Sequence, residues 1–219
     1  MIDWHFIAII MPRLLRACGQ TMGISLCSLS LATILGLSVA LLRLSPIRVL
    51  GTAAWTYVWL VRGTPLLLQL FALYYAVPLT GLRLDPWLAG VLALGFNSAA
   101  YFSEIFRAAI QSIPPGQSEA AIAIGMGPAT TLWKIVLPQA LRPALPPYIG
   151  QAITLIKNSS LVSVIAVPDL MQTAQSIYSV TFKVVEVMLA TGVLYLFMTT
   201  LLQIAQTWLE RRLNYYTVK

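Results

Sequence analysis

Charge is scarce in this chain of 219 residues: only 10% are Asp, Glu, Lys or Arg, against 58% hydrophobic and a mean hydropathy of +0.81. A soluble domain of that length needs a far more charged surface to stay dispersed, so the composition points to a membrane protein. Acids are scarcer than bases, seven against fourteen, giving a net charge of +7. The basic residues are scattered between apolar runs without forming a stripe, which argues against nucleic-acid binding and suits signals of membrane topology. With one histidine, His5, the sequence holds no Ser/His/Asp nucleophile set and no companion ligands for a metal. Cys18 and Cys27 fall nine positions apart, on opposite faces of a helix, which argues against a disulfide and for a packing role. No G-x-x-x-x-G-K-[ST] phosphate loop occurs, so the chain cannot itself hydrolyse ATP by that route.

Long apolar runs are what the sequence does have. A helix needs about 20 apolar residues to cross hydrocarbon, and five runs qualify: 18–44, 53–79, 86–110, 144–167 and 184–209. The expected fold class is therefore all-α, a single polytopic membrane domain over 1–219 with five transmembrane helices. Segment 2–12 is too short to span and lacks the features of a signal peptide; Trp4, Phe6 and Ile7 suit a helix lying along the interface. Tyr74-Tyr75 and Tyr215-Tyr216 fall near run ends, where interfacial aromatics gather. Orientation follows from basic residues in the connections. Arg43, Arg48, Arg107, Lys134, Arg142, Arg211, Arg212 and Lys219 fall on one side; Arg83 and Lys183 fall on the other, where Arg13 and Arg16 dissent. The amino end is expected outside and the carboxyl end in the cytoplasm.

Polar residues inside the runs are costly unless they face a cavity or a partner. Asn97, Tyr101 and Glu104 follow i, i+4, i+7 spacing and share one helix face. Glu104 suits a ligand ammonium group, or equally an internal pair with Arg107 or Arg62. Arg62, Gly63, Thr64 and Pro65 interrupt the second run, and Lys157, Asn158, Ser159 and Ser160 the fourth. Such breaks can present backbone amides to a carboxylate near the membrane centre; the plainer alternative is a kink satisfied by neighbouring helices. Lys157 with Ser159 or Ser160 is also the sole Ser-Lys pair open to an intramembrane hydrolase, and a simple channel is a second rival. "GQTMG" at 19–23 has the spacing of close helix packing within the subunit.

The inner connection, roughly 111–143, carries "SEAAIAIGMGP", read as a short helix with Ser118 as its cap, Glu119 in its first turn and a stop around Gly125 to Pro128. Within it Glu119, Ala120, Ala121, Gly125, Ile135, Leu137 and Pro138 reproduce the pattern EAA, three residues, G, nine residues, I-x-LP. This resembles the cytoplasmic signature of ABC importer permeases. "RGTPLLLQLF" (62–71), "SAAYFSEIFRAAIQSIPPGQ" (98–117), "LPQALRPALPPY" (137–148) and "KNSSLVSVIAVPDL" (157–170) extend the likeness over most of the chain, to the polar amino-acid uptake permeases of the histidine, glutamine, arginine and cystine type.

The resemblance implies the type I ABC importer permease fold and a transport subunit, not an enzyme, without a cofactor of its own. ATP and magnesium would belong to separate ATPase subunits, which the helix at Glu119, Ala120, Ala121 and Gly125 would contact. A second permease, identical or related, and an extracytoplasmic amino-acid-binding protein would complete an assembly in the bacterial cytoplasmic membrane. Many relatives carry an acid where this chain has Asn158. Losing that carboxylate weakens attraction for a second positive charge, which favours a zwitterionic or acidic polar amino acid over a cationic one.

Overall fold

The structure, a computed structural model, describes residues 2–214, so Tyr215, Tyr216 and Lys219 lie outside the described residues. Helix α1, Trp4–Arg43, is 40 residues long, or about 60 Å at 1.5 Å per residue. The Asp3 carboxylate caps it by accepting the Phe6 N–H at 2.9 Å. Segment 2–12 is thus no separate interfacial element, a correction to the sequence reading. Pro12 removes one helical hydrogen bond, but Ile7, Ile10 and Leu14 around it are buried against Leu170, Ala174 and Val187, which offsets that loss.

The second run is not a continuous span. Helix α2, Arg48–Arg62, stops at Gly63, and α3, Leu66–Phe71, resumes after Pro65 and continues as a wide turn (Ala72–Ala76) and a tight one (Val77–Thr80). The two parts are bent by 106°. Helix α4, Pro86–Gln111, starts with proline in its first turn and the Asp85 carboxylate accepting the Trp87 and Leu88 N–H groups. It is the most buried of the long helices and packs chiefly on α1. Two glycines allow that approach. A Cβ on Gly36 would stand 2.7 Å from Phe102 Cβ, and one on Gly95 would stand 2.6 Å from Leu31 Cδ2. Gly19 and Gly23 have no atom within 4 Å of such a Cβ, so the two glycines of "GQTMG" make no close helix approach; the contact in that segment is made by Thr21, buried against Leu170.

The inner connection is mostly helical: α5, Pro115–Ala123; α6, Pro128–Thr131; a wide turn, Leu132–Val136; then α7, Leu137–Asn158, which begins seven residues ahead of the run expected from 144. "KNSS" does not break the fourth span either. The helix passes Asn158, tightens into a three-residue-per-turn stretch over Ser159–Ile165, and turns only at Ala166 (φ 59°). Helix α8, Leu170–Thr181, follows at 50°. It ends at Phe182 (φ 58°), and α9, Val184–Asn214, closes the described chain. Three helices are long and apolar enough to cross a membrane alone, and five spans result if each bent pair counts as one.

Candidate functional site

At the end of the bundle that holds the carboxyl ends of α1 and α4, α5 stands out from the spans on two prolines. Pro114 is extended and takes the cap position, four residues before the expected cap at Ser118, and Pro115 opens the helix. Ser118 therefore lies inside α5 and caps nothing, and Glu119 falls beyond the first turn. Proline's fixed φ sets the start in place of a side-chain cap. The stop is where the sequence put it. Gly125 adopts φ 84°, its N–H donates to Ile122 O at 2.9 Å, and Met126 N–H donates to Ala121 O at 3.0 Å. This pair of bonds with a left-handed residue is the Schellman termination. Gly125 is needed for its backbone angle, since a Cβ there would meet no atom within 4 Å.

Ala121 is buried toward the following segment while Glu119, Ala120, Ile122, Ile124 and Gly125 are exposed. The Gln139 amide donates to Gln117 Oε1 at 3.3 Å and to Ile135 O at 2.9 Å, tying α5 to the stretch that carries Ile135, Leu137 and Pro138. The element is short, sharply ended and braced.

A polar file runs along α4. Asn97, buried, donates from Nδ2 to Gln69 Oε1 at 3.0 Å. Gln69 Nε2 in turn faces Val61 O at 2.8 Å, Thr64 O at 3.2 Å and Thr64 Oγ1 at 2.8 Å, so one amide serves three acceptors around the break at Gly63–Pro65. One turn on, the exposed Arg62 guanidinium lies 5.3 Å from the Tyr101 ring centroid, within cation–π range. Next, Glu104 accepts from Arg107 at 2.8 and 3.2 Å and pairs through its other oxygen with Arg43. Asn97, Tyr101 and Glu104 do share a face, each with a different partner. Sequence reasoning named Arg107 as a partner of Glu104 but missed Arg43 and Gln69. Arg43 reads as an ordinary topology charge at a run's end. Gln69, a lone amide in "LLLQLF", was the available signal.

The fourth-span set does not converge. Ser159 is buried with its hydroxyl donating to Ile156 O at 2.7 Å, and Ser160 donates to Lys157 O at 2.8 Å. Lys157 and Ser160 line a cavity of about 270 Å³ with Met171, Thr191 and Tyr195, and Asn158 is half-buried outside it. Among the described residues no carboxylate pairs with Lys157, and no cluster of His, Cys, Asp or Glu could hold a metal ion.

A helical bundle with two bent spans and a braced helix projecting from one end has the build of a membrane transport subunit. Residues 32–215 match the family "binding-protein-dependent transport system inner membrane component", and the chain belongs to that family. It is 39% identical over 213 residues to the nopaline transport system permease protein of Agrobacterium fabrum, covering 91% of this chain and 88% of that one. To the L-cystine transport system permease protein of Bacillus subtilis it is 40% identical over 200 residues, covering 91% and 86%. A crystal structure of an amino acid ABC transporter with histidines superposes with a TM-score of 0.89 at 33% identity, covering 97% of this chain and 99% of that one. The chain is an ABC importer permease subunit with the type I permease fold, a multi-pass inner-membrane protein, and ATP hydrolysis in this class takes place on a separate subunit.

Proposed function

We propose that this permease carries a polar amino acid or amino-acid derivative into the cytoplasm by alternating access, driven by ATPase subunits that α5 contacts through Glu119, Ala120, Ala121 and Gly125. The observation that carries this reading is the build of α5: exposed, ended at Gly125 with φ 84°, and braced by Gln139. A rigid short helix transmits a partner's closure, where a loose loop would absorb it. The likeness to permeases for nopaline, cystine and, at 35% identity, glutamine in Escherichia coli supports the substrate class. A second permease, identical or related, and an extracytoplasmic binding protein belong to the same proposal, as do ATP and magnesium on the ATPase.

The proposed orientation, amino end outside and carboxyl end inside, is supported by the basic residues Arg43, Arg107, Lys134 and Arg142 near the end from which α5 projects. Lys183 meets Asp3 at the end opposite to the one where Arg43 meets Glu104 and α5 projects. The proposed path comprises Arg62, Gly63 and Thr64 at the exposed break, Asn97, Tyr101 and Glu104 along α4, and Lys157, Asn158, Ser159 and Ser160 on the fourth span. Both Glu104 oxygens are committed to guanidinium groups, so an ammonium ligand reaches it only where Arg43 or Arg107 lets go. Among the described residues Arg62 and Lys157 pair with no carboxylate, and this surplus of positive charge favours a zwitterionic or acidic ligand over a cationic one.

ATPase stimulation of the full complex across the amino acids tests the substrate class; strong stimulation by arginine or lysine, with none by glutamine, glutamate, aspartate or cystine, overturns the charge argument. Position 125 tests the contact in two steps. Gly125→Asn, which tolerates the left-handed angle, keeps α5 intact and retains uptake. Gly125→Trp should uncouple hydrolysis from uptake, and unimpaired transport by it removes the docking role.

A further inference from the structure

One carboxylate joins the carboxyl ends of α1 and α4. Glu104 Oε1 pairs with Arg43, the last residue of α1, while its Oε2 accepts from Arg107 Nε at 3.2 Å and Nη2 at 2.8 Å. Arg107 then donates from its other terminal nitrogen, Nη1, to Gln111 Oε1 at 2.6 Å, and Gln111 is the last residue of α4. Residues three and four apart lie on one helix face, so Glu104, Arg107 and Gln111 make a continuous polar ladder of two turns, about 10 Å long.

From the ladder the chain reaches α5 without slack. Only Ser112, Ile113 and Pro114 separate Gln111 from the first residue of α5. The Ser112 N–H donates to Ala108 O at 3.0 Å, the Ser112 hydroxyl to Ala109 O at 2.8 Å and the Ile113 N–H to Ile110 O at 3.3 Å, while Pro114 has no N–H to satisfy and a fixed φ. Ile113 also packs against Ala109, Ala140 and Ala144. A displacement of α5 is therefore passed to the ladder and not lost in a loop.

Arg43 carries the ladder across to α1. Among the described residues the other ion pairs are Arg107 with Glu104 inside α4 and Lys183 with Asp3 at the opposite end, so no second ion pair ties α1 to α4. The Arg43, Glu104 and Arg107 side chains are only 17%, 23% and 28% exposed, which leaves the pairs weakly screened and makes an unmatched charge costly. Arg62, on the Tyr101 ring one turn away, adds a third guanidinium and brings no carboxylate. Glu104 is the one anion paired among these cations.

We propose that Glu104 is a positioning residue for coupling: through Arg43 on one side and Arg107 and Gln111 on the other, it fastens the end of α1 to the base of α5, so that α1 follows α5 through the ATPase cycle. The proposal rests on the reading of α5 as the ATPase contact.

The test uses the full complex in vesicles, with ATP hydrolysis and uptake measured together for the radiolabelled amino acid that wild type takes up fastest. Arg43→Gln cuts the arm to α1 and leaves Glu104, Arg107 and Gln111 in place. Uptake per ATP hydrolysed should fall roughly tenfold with the KM for the amino acid unchanged, and Arg43→Lys, which keeps the charge, should recover most of it. Unchanged uptake per ATP in Arg43→Gln overturns the proposal, as does a loss that Arg43→Lys leaves unrelieved. A changed KM with uptake per ATP intact assigns Glu104 to ligand binding and overturns it too. Photoreactive benzoylphenylalanine in place of Ile122, which is 58% exposed on α5, separates this result from the underlying reading. Crosslinks to the ATPase that persist in Arg43→Gln while uptake per ATP falls support the fastening of α1; no crosslink in wild type overturns the α5 contact and the proposal with it.

Discussion

The two bent spans break in opposite surroundings. At Gly63–Pro65 the chain turns by 106° with Arg62, Gly63 and Pro65 exposed; the Gln69 amide serves Val61 O and Thr64, and the Thr64 hydroxyl serves Leu60 O. At Ala166–Asp169 the turn is 50°; Ala166 and Pro168 are exposed, but Val167, Asp169 and Leu170 are almost wholly buried. There the Asp169 carboxylate caps α8 by accepting the Gln172 N–H at 2.7 Å, the Thr21 hydroxyl accepts the Leu170 N–H at 2.9 Å, and Tyr195 faces Asp169 from α9. A break whose buried residues are held by side chains of α1 and α9 fixes geometry. An exposed break held by one amide and one hydroxyl, both from its own span, can change its partners, which is what a ligand path requires.

That contrast is broken first, and hardest, at Asp169. Asp169→Ala removes a buried cap and leaves the Gln172 N–H of α8 and the Tyr195 hydroxyl of α9 unmatched, which should cost roughly 3 kcal/mol. The expected result is a lower melting temperature and less assembled complex, with transport per assembled complex near wild type. At the exposed break, Gln69→Leu should lower stability less, by about 1–2 kcal/mol, yet reduce transport per assembled complex strongly. Equal losses of per-complex transport in both variants would erase the distinction between the two breaks.

Much of this architecture could be read from residue order, and what could not has a physical reason. Composition and run length suffice for the number of spans, because about 20 apolar residues are what hydrocarbon demands. The stop at Gly125 was legible because few residues besides glycine accept φ 84°. The start of α5 was misplaced because Ser118 and Glu119 mimic a cap while Pro114 and Pro115 set the backbone directly. "KNSS" looks like a break by polarity, but polarity marks what a helix faces, whereas the actual turn follows at Ala166, where Pro168 has no N–H to continue a helix and Asp169 caps the next one. The partners Arg43 and Gln69 belong to other helices, and pairing across helices leaves no local mark in a single chain.

The helix that begins at the second break ends in strain, and this sharpens the comparison at smaller scale. Phe182 holds φ 58° with its ring 85% exposed, so it accepts a left-handed angle without burying its side chain in return. The equivalent position of α5 is glycine. Phe182→Gly should therefore stabilise the protein by roughly 0.5–1 kcal/mol, measured as a raised melting temperature. A loss of stability would mean that the exposed ring has a partner outside this chain.

The smallest expected effect lies beside it, where Lys183 ties the turn between α8 and α9 to the start of α1. Lys183 Nζ lies 2.6 Å from Asp3 Oδ2 and 4.4 Å from the Phe6 ring centroid. The hydrogen bond from Lys183, followed by that from the Phe6 N–H, holds the Asp3 carboxyl below its ordinary 3.8. A carboxylate whose folded pKa is depressed adds stability that is present above the unfolded value and is lost as pH falls through the folded one. Wild type should thus show this contribution intact at pH 6 and weakening below about pH 4. Asp3→Asn should be slightly less stable than wild type near neutrality, with the two melting temperatures converging in acid. Because the pair is solvent-exposed, added salt should shrink the difference. A gap that persists unchanged in acid and in high salt would assign the effect to the helix cap at Phe6 and not to the ion pair.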